Sequence, residues 1–592
     1  MLKKFRLIFS LCLITVLLAS CVAYAAIPSV IHPEITLDPT PTLRKPFTTR
    51  PAAIGRAMVA GDSMHSSLAA LRILEKGGNA FDAAAALAAA TSVNNPTMND
   101  LFGGDAFIIV YSARDNKVIV YNGTGWAPQA ATIDYFIDQG GIPDRGILTV
   151  SVPGSFSGWM MMLQDYGTLP LKDILAPAIH LAENGFRADD RITVFGPRFL
   201  NEAGLKVFAP GGTPLQAGEV VYNKGKADML RRLSVLSYEE AEDYFYRGPL
   251  AKKIVEYSDS VGGILTVEDF AKFRAERQEG LSTNYRGIDV YVCPPNSQGM
   301  ALLKTLNILE GYDLKAMGHN SAEYIDILVQ ALNLALQDRN DFMGDPRFVD
   351  IPYGMISKEY ARHRRENDMH PGRAMPDTIV RGNPADFADA YRAERGGDTT
   401  FFAVADTEGN LVAVTTSICD IFGSGLMVPG LGIMLNNRMT FFYLEEEHPN
   451  HVVPGKRTMQ TITPSIALRD GKPYMAFGTP GGDLQEQSKL QGFLNMVEFG
   501  MSPQEAVEAP RFQSMHPGGF LSIFRTGNFR AVRVERRVPE EARNALEEMG
   551  YTILSPFDFL SIGNVSIIKI DQETGWKEGA ADPRSWNTAV GW

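Results

Sequence analysis

The chain has 592 residues, of which 45% are hydrophobic and 21% are charged, and its formal net charge is −12. This composition fits a soluble globular enzyme. The acidic balance argues against nucleic acid and anionic membrane faces as partners, because phosphate binding requires clustered Lys and Arg. We find no metal-binding motif, and we predict neither a metal nor another cofactor.

The first 25 residues resemble a bacterial export signal. A basic start, an apolar run and a small-residue cleavage site follow one another: Lys3, Lys4 and Arg6, residues 7–18, and Ala23-Tyr24-Ala25. The apolar run is short for a membrane-spanning helix. Leu-Ala-Ser-Cys at residues 18–21 also resembles a lipobox, in which Cys21 becomes the lipidated first residue. Both processing routes fit, so we predict an exported protein, periplasmic or extracellular, and a lipid anchor to the membrane if Cys21 is used.

Two cysteines, Cys293 and Cys419, belong to the mature body, whereas Cys12 and Cys21 belong to the export segment. A pair of cysteines in so long a chain does not make a disulfide framework. They can pair in an oxidising compartment, but the pattern favours two buried thiols that act as small hydrophobic side chains.

The pattern after the signal predicts an α+β protein. Proline recurs through residues 26–55, which indicates an irregular lead-in. An Ala-rich stretch then predicts two helices within residues 66–90, broken at Gly77-Gly78-Asn79, and the second, over residues 81–91, is apolar nearly all round and therefore buried. Further elements are predicted as strands at residues 107–112 and 118–121 and as helices at residues 158–165, 171–184, 241–258, 300–309 and 322–342. Charged residues and scattered prolines predict a mobile surface stretch over residues 345–398.

Residues 396–417 predict a β-hairpin that opens at Thr399 and Thr400 and turns at residues 406–410. If the chain were cut between Asp398 and Thr399, the new α-amino group would lie beside the Thr399 hydroxyl. An amine with a pKa of about 8 is a usable base at neutral pH and can activate that hydroxyl as a nucleophile. The plain alternative is that the two threonines begin an ordinary strand, as β-branched residues favour.

Ordered motifs across more than five hundred residues resemble the gamma-glutamyltransferase family. They are Met58-Val59-Ala60, Gly77-Gly78-Asn79-Ala80-Phe81-Asp82-Ala83-Ala84, Pro294-Pro295-Asn296-Ser297-Gln298-Gly299, Gly344-Asp345-Pro346, Gly478-Thr479-Pro480-Gly481-Gly482 and Ala581-Asp582-Pro583-Arg584. The resemblance implies an N-terminal-nucleophile hydrolase with a four-layer αββα sandwich. It also implies that one precursor cleaves itself into a large subunit, residues 56–398, and a small subunit, residues 399–592, which form a heterodimer with Thr399 as the nucleophile.

The resemblance assigns three further catalytic residues. Gly481 and Gly482 match the glycine pair whose backbone N–H groups form the oxyanion hole, a task that suits a residue without Cβ. The same glycines can also be a plain turn. Ser417 matches a hydroxyl residue close to the nucleophile, although a solvent-facing strand serine explains it equally well.

The positions that hold the glutamate head group in true gamma-glutamyltransferases differ in this chain. The residues at or near these substrate-binding positions are Thr124, Cys419, Arg438, Phe441, Gln460 and Thr461. A phenyl ring at 441 cannot hold an ammonium as a carboxylate does, and each buried polar group without a partner costs about 1–3 kcal/mol. These changes predict weak recognition of a zwitterionic glutamyl head.

Other motifs resemble the amidohydrolase and acylase branch, which includes oxamate amidohydrolase-like proteins: Asn437-Arg438, His448-Pro449-Asn450, Pro454-Gly455-Lys456-Arg457 and residues 481–487. Arg438 can clamp a substrate carboxylate, or it can pair with Glu445 or Glu446. We predict a self-processing amidohydrolase for a small acyl-amide. The alternatives are a glutathione hydrolase and gamma-glutamyltransferase with rebuilt glutamate contacts, and an inactive exported binding protein.

Overall fold

The computed structural model describes residues 48–195, 197–390, 400–517, 528–555, 557–560 and 563–592, and residues 49–592 form one body. The export signal, the lipobox cysteine, most of the Pro-rich lead-in, Asp398 and Thr399 lie outside these ranges. The predictions made for them therefore stay predictions.

The described chain alternates short strands with helices. The strands are β1 Ala53–Gly55, β2 Met58–Gly61, β3 Asp105–Ser112, β4 Lys117–Gly123, β5 Phe186–Arg187, β6 Val220–Val221, β7 Glu276–Glu279, β8 Leu281–Tyr285, β9 Ile288–Val292, β10 Phe401–Ala405, β11 Leu411–Ser417, β12 Met427–Val428, β13 Ile433–Met434, β14 Ser465–Arg469, β15 Lys472–Gly478, β16 Phe512–Ser514, β17 Ala531–Val534, β18 Thr552–Leu554, β19 Ser566–Ile570, β20 Lys577–Ala581 and β21 Thr588–Gly591.

The helices are α1 Met64–Glu75, α2 Ala80–Asn94, α3 Ile133–Asp138, α4 Ser155–Tyr166, α5 Leu171–Asn184, α6 Asp190–Phe195, α7 Glu202–Phe208, α8 Lys224–Ser234, α9 Tyr238–Tyr246, α10 Pro249–Ser260, α11 Val267–Lys272, α12 Gly299–Leu309, α13 Leu314–Met317, α14 Ala322–Phe342, α15 Lys358–Asp368, α16 Leu484–Val497, α17 Pro503–Glu508 and α18 Glu540–Glu548. Short 3-10 helices occupy Ile147–Thr149, Pro210–Gly212, Tyr353–Ile356, Pro384–Ala390 and Arg438–Phe441. Within the described ranges, no helix has both the length and the apolar composition needed to cross a bilayer.

Two seven-stranded antiparallel sheets form the centre of the fold. The strand order is β1-β20-β19-β15-β14-β9-β8 in the first sheet and β21-β2-β10-β11-β3-β4-β7 in the second. Both sheets combine strands from the two ends of the chain, so the predicted large and small subunits are interleaved rather than separate domains.

Side chains alternate between the two faces of each sheet, and this alternation gives the fold four layers. In β10, Phe401, Ala403 and Ala405 pack between the two sheets against β14, β15 and β19, whereas Phe402 and Val404 pack against a helical layer that includes α2 and α4. The outer face of the first sheet packs against α12, α14 and α16. The order helix, sheet, sheet, helix confirms the predicted αββα sandwich.

Helix α2 shows why the Ala-rich stretch forms a buried helix. Asn79 caps its first turn and Asp82 completes the capping box. All residues of Ala80–Asn94 are buried, as the lack of a polar face predicts. Close packing against the second sheet follows, because small side chains let the backbone approach the strands.

Three predicted boundaries are wrong. The helix predicted over residues 241–258 is two helices, α9 and α10, because Pro249 has no N–H to continue α9 and begins the next helix instead. The last residues of the lead-in form β1, which pairs with β20. The stretch from residue 345 is not all mobile surface, since Met355 and Tyr360 are fully buried in the core beneath the first sheet.

Candidate active site

The predicted hairpin is present as strands β10 and β11 of the second sheet, and the first residue of β10 pairs near the last residues of β11. β10 and β11 pair with Phe401 opposite Thr415, and the Thr400 carbonyl accepts a hydrogen bond from the Thr416 N–H at 2.7 Å. Ser417 ends β11 and is 2% exposed, so it does not face solvent. Thr400, the sequence neighbour of the predicted nucleophile, therefore enters the sheet beside the end of the Ser417 strand.

A buried carboxylate, Asp105, lies opposite Ser417 in the neighbouring strand β3. Its Oδ1 accepts the Gly125 N–H at 2.8 Å, and its Oδ2 accepts a hydrogen bond from Gln460 Nε2 at 2.9 Å. The same Oδ2 lies 3.1 Å from Nε of Arg438. Burial raises the pKa of Asp105 above its ordinary value, while the Arg438 guanidinium and the N–H donors act in the opposite direction. Asp105 thus connects four segments of the site.

Arg438 is held inside the protein. It begins the 3-10 helix Arg438–Phe441, is 1% exposed, and its guanidinium carbon lies 5.4 Å from the centre of the Phe441 ring. The carboxylate that it contacts is Asp105, rather than Glu445 or Glu446, which are both exposed. Arg438 therefore holds the walls of the site together through a partner that the sequence analysis did not identify.

Thr124 and Gln460 belong to the same buried network. The Thr124 hydroxyl donates to Asn122 Oδ1 at 2.7 Å, and Asn296 Nδ2 donates to Thr124 Oγ1 at 3.3 Å. The Gln460 N–H donates to the Asn296 carbonyl at 2.8 Å. Thr124 and Gln460 are both fully buried. Thr124 and Gln460, two of the predicted substrate-binding residues, are therefore linked to each other through Asn296.

The glycine pair forms the turn between β15 and α16. Gly481 has φ 120° and Gly482 has φ 56°, a region that favours glycine. A Cβ on Gly481 would also lie 3.3 Å from Cβ of Leu484, so a side chain there would be both strained and crowded. Gln298 Nε2 donates to the carbonyls of Thr461 at 2.7 Å and Gly482 at 3.3 Å. The Gln298 side chain thus connects the glycine turn to the segment that contains Gln460 and Thr461.

Helix α14 supports the turn from behind. Arg339 in this helix donates from Nη1 to Gln298 Oε1 at 2.6 Å and forms an ion pair with Asp483, the residue after the glycine pair. Both side chains of the ion pair are at most 3% exposed. Charged hydrogen bonds in a buried setting position the turn firmly, as an oxyanion hole requires.

The two cysteines of the described chain are free thiols, as predicted, but only one of them is buried as the sequence pattern favours. Cys293 is fully buried between the sheets, whereas Cys419 is half-buried at the site. Cys419 has φ 82°, and its N–H donates to Ser417 Oγ at 2.8 Å. Its sulfur lies 3.9 Å from Thr440 Oγ1. Cys419 therefore joins the end of β11 to the 3-10 helix that contains Arg438 and Phe441.

The structure brings the described candidate residues into one connected region. The residues that connect them were not assigned roles from the sequence: Asp105, Asn296, Gln298, Arg339 and Asp483. One signal for two of them is present in the chain, because Gly103-Gly104-Asp105 and Gly481-Gly482-Asp483 repeat the Gly-Gly-Asp of residues 396–398. The catalytic and substrate-binding roles themselves stay predictions.

Comparison with known proteins places the chain in a family. A family model for gamma-glutamyltranspeptidase matches residues 66–592. The chain belongs to the gamma-glutamyltranspeptidase family. It is 36% identical over 545 residues to a glutathione hydrolase-like YwrD proenzyme of Bacillus subtilis, covering 90% of this chain and 98% of that protein. It is 33% identical to an acylase ACY 1 proenzyme of Pseudomonas sp. (strain SE83), covering 85% and 88%.

A solved structure is similar over nearly the whole gamma-glutamyltranspeptidase fold. Cephalosporin acylase from Bacillus halodurans is 33% identical, with a TM-score of 0.82 over 93% of this chain and 98% of that one. The family predicted from the motifs is thus confirmed, and with it the fold class and the enzyme class of an N-terminal-nucleophile hydrolase. Relatives named as glutathione hydrolases and as acylases both occur within this family.

Proposed function

We propose that this gamma-glutamyltranspeptidase family member is an exported threonine amidohydrolase that cleaves its own precursor before Thr399 and then hydrolyses a small acyl-amide. The observation that carries the proposal is the contrast between two parts of the site. The glycine turn is held by Gln298 and by the Arg339–Asp483 ion pair, and the hairpin places Thr400 beside the end of the Ser417 strand, which supports the proposed chemistry. The positions for a glutamyl head instead hold a phenyl ring at 441, a thiol at 419 and a guanidinium at 438 that pairs with Asp105.

In the proposed mechanism, the α-amine of Thr399 takes the hydroxyl proton as Oγ attacks the substrate carbonyl. The N–H groups of Gly481 and Gly482 stabilise the oxyanion. The C–N bond then breaks, the leaving amine receives the proton, and the acyl group remains on Oγ as an ester. Water, deprotonated by the same α-amine, hydrolyses this ester and restores the free threonine.

Hydrolysis of an amide panel tests this proposal. Chromogenic anilides of short acyl groups, with and without a terminal carboxylate, are compared with the γ-glutamyl anilide, for the wild type and for Thr399→Ala. We expect Thr399-dependent release of aniline from a non-glutamyl member of the panel. Activity confined to the γ-glutamyl anilide at ordinary rates would contradict the preferred substrate class.

The second candidate is a glutathione hydrolase with rebuilt glutamate contacts. It is favoured by the 36% identity to a glutathione hydrolase-like protein over nearly the full length of both chains. The γ-glutamyl arm of the same panel decides between the two. Loss of all activity together with an uncut chain would instead favour the inactive binding protein.

A further inference from the structure

A cavity of about 690 Å³ lies beside the proposed catalytic region. Asn340 lines one wall and directly follows Arg339, whose ion pair with Asp483 holds the glycine turn. Tyr443, two residues after Phe441, also lines the cavity. The cavity thus lies between the helix that supports the predicted oxyanion hole and the loop that follows the predicted substrate-binding segment. This is a suitable place for the part of a substrate beyond its reacting carbonyl.

The cavity lining is rich in carboxylates. Its described lining contains Asp341, Asp377, Glu445 and Glu447 and one guanidinium, that of Arg381. Arg381 lies 4.0 Å from Asp341, and Asp377 pairs outside the cavity with Arg530 at 3.1 Å. Within the described chain, Glu445 and Glu447 form no ion pair and are exposed at the rim. Among the described lining residues, carboxylates therefore outnumber guanidinium groups, and the Lys456 ammonium lies close enough to His448 to contribute to lowering its pKa.

Aromatic side chains complete the wall. The Tyr443 ring stacks on His448 with 3.5 Å between the ring centres and 14° between the planes, and Phe529 is a further aromatic residue of the lining. Burial lowers the pKa of His448 to about 4, and that of His516, packed edge-on against Phe529, to about 3. Both imidazoles are neutral at pH 7 and add no positive charge. Aromatic faces together with carboxylates form a favourable environment for an ammonium group.

We propose that this cavity binds a positively charged amine portion of the substrate, so that the preferred amides release a diamine or another amine that carries a second cationic group. The inference rests on the proposed amidohydrolase function and names the class of its leaving group. During acyl transfer to Thr399, the C–N bond to this amine breaks and its nitrogen receives the proton. The distal ammonium stays between the rim carboxylates and the aromatic wall.

The test compares two amides of one acyl group, formed with putrescine and with butylamine, which differ only in the distal ammonium. We expect the wild type to prefer the putrescine amide in kcat/KM, and we expect the preference to shrink as salt is added. Glu445→Gln/Glu447→Gln should reduce the preference about five- to tenfold, as expected for two exposed charge pairs.

Glu446→Gln is the matched control. Glu446 lies between the two tested residues but lines a different cavity, of about 420 Å³, with His451 and Thr132. This variant removes one negative charge from the same loop, as each of the single variants Glu445→Gln and Glu447→Gln does, and we expect it to keep the wild-type preference while each single variant lowers it about two- to threefold. If Glu446→Gln lowered the putrescine preference as much as the variants at 445 and 447 do, the effect would come from the overall charge of the loop, and the inference would be overturned.

Calorimetric titration of the protein with putrescine separates this inference from the proposed function. Binding that weakens in the Glu445→Gln/Glu447→Gln variant but not in Glu446→Gln supports the cavity assignment even if neither amide is hydrolysed, in which case the proposed function fails alone. Hydrolysis of both amides at equal kcat/KM, with no putrescine binding, would overturn the cavity assignment and leave the proposed function intact.

Discussion

Removing one partner of the Arg438–Asp105 ion pair should destabilise the fold far more than removing both. The two side chains are 1% and 0% exposed, and their N···O distance is 3.1 Å. At an effective dielectric constant of about 20, charges at this distance interact by about 5 kcal/mol. Asp105→Asn leaves the guanidinium buried without its counter-charge and turns an acceptor of the Gln460 amide into a donor. We expect this variant to lose about 3–5 kcal/mol of unfolding free energy.

The assay is a double-mutant cycle with Arg438→Gln, measured by urea unfolding in a Thr399→Ala background so that one uncut chain unfolds. We expect a coupling energy of about 2–3 kcal/mol, because the double variant no longer buries a lone charge. The exposed Arg114–Asp115 pair has the same N···O distance of 3.1 Å, with side chains 65% and 32% exposed. Its coupling should be about 0.2–1 kcal/mol. Equal coupling in the two cycles would refute the argument that burial makes the Arg438–Asp105 pair structural.

Three further outcomes follow from the structure. Gly481→Ala should lower kcat roughly 10²–10³-fold, measured by stopped-flow, and should slow precursor cleavage, followed on gels, because a Cβ at φ 120° displaces the backbone N–H that binds the oxyanion. Normal turnover of this variant would contradict the role assigned to Gly481. The folded state holds His516 neutral, with its pKa lowered to about 3, so protonation of the unfolded chain removes stability as the pH falls below about 6.5. Between pH 6.5 and 4.5, the wild type should therefore lose about 2 kcal/mol more unfolding free energy than His516→Phe, measured by urea unfolding at each pH. The variant His363→Gln, at an exposed histidine, should follow the wild type. Thiol labelling followed by mass spectrometry should modify half-buried Cys419 before buried Cys293 and slow hydrolysis in proportion; faster labelling of Cys293 would contradict the packing.

Local patterns predicted the elements that position the site. The β10–β11 hairpin follows from two apolar runs around a polar turn, and the Asp406 carboxylate closes that turn by accepting the N–H groups of Glu408 and Asn410, both at 2.9 Å. Helix α2 follows from a capping residue before an Ala-rich run. Both depend on interactions within a few residues, which a linear sequence displays directly.

The polar network that joins the candidate residues could not be predicted in the same way. Asp105 and Gln460 are 355 positions apart, and Arg339 and Asp483 are 144 apart. Their partners are chosen by strand order in two sheets that mix both ends of the chain, and no periodicity encodes that order. The sequence therefore offers only the neighbouring glutamates as partners of Arg438, whereas the fold supplies Asp105 from β3.

The measurement that tests the account most directly is the intact mass of the purified mature protein, with N-terminal sequencing of each fragment, for the wild type and Thr399→Ala. We predict two chains in the wild type, the smaller beginning Thr399-Thr400-Phe401, and one uncut chain in the variant. A single uncut chain in the wild type, or a small chain that begins at another residue, would contradict the assignment of Thr399 as the nucleophile.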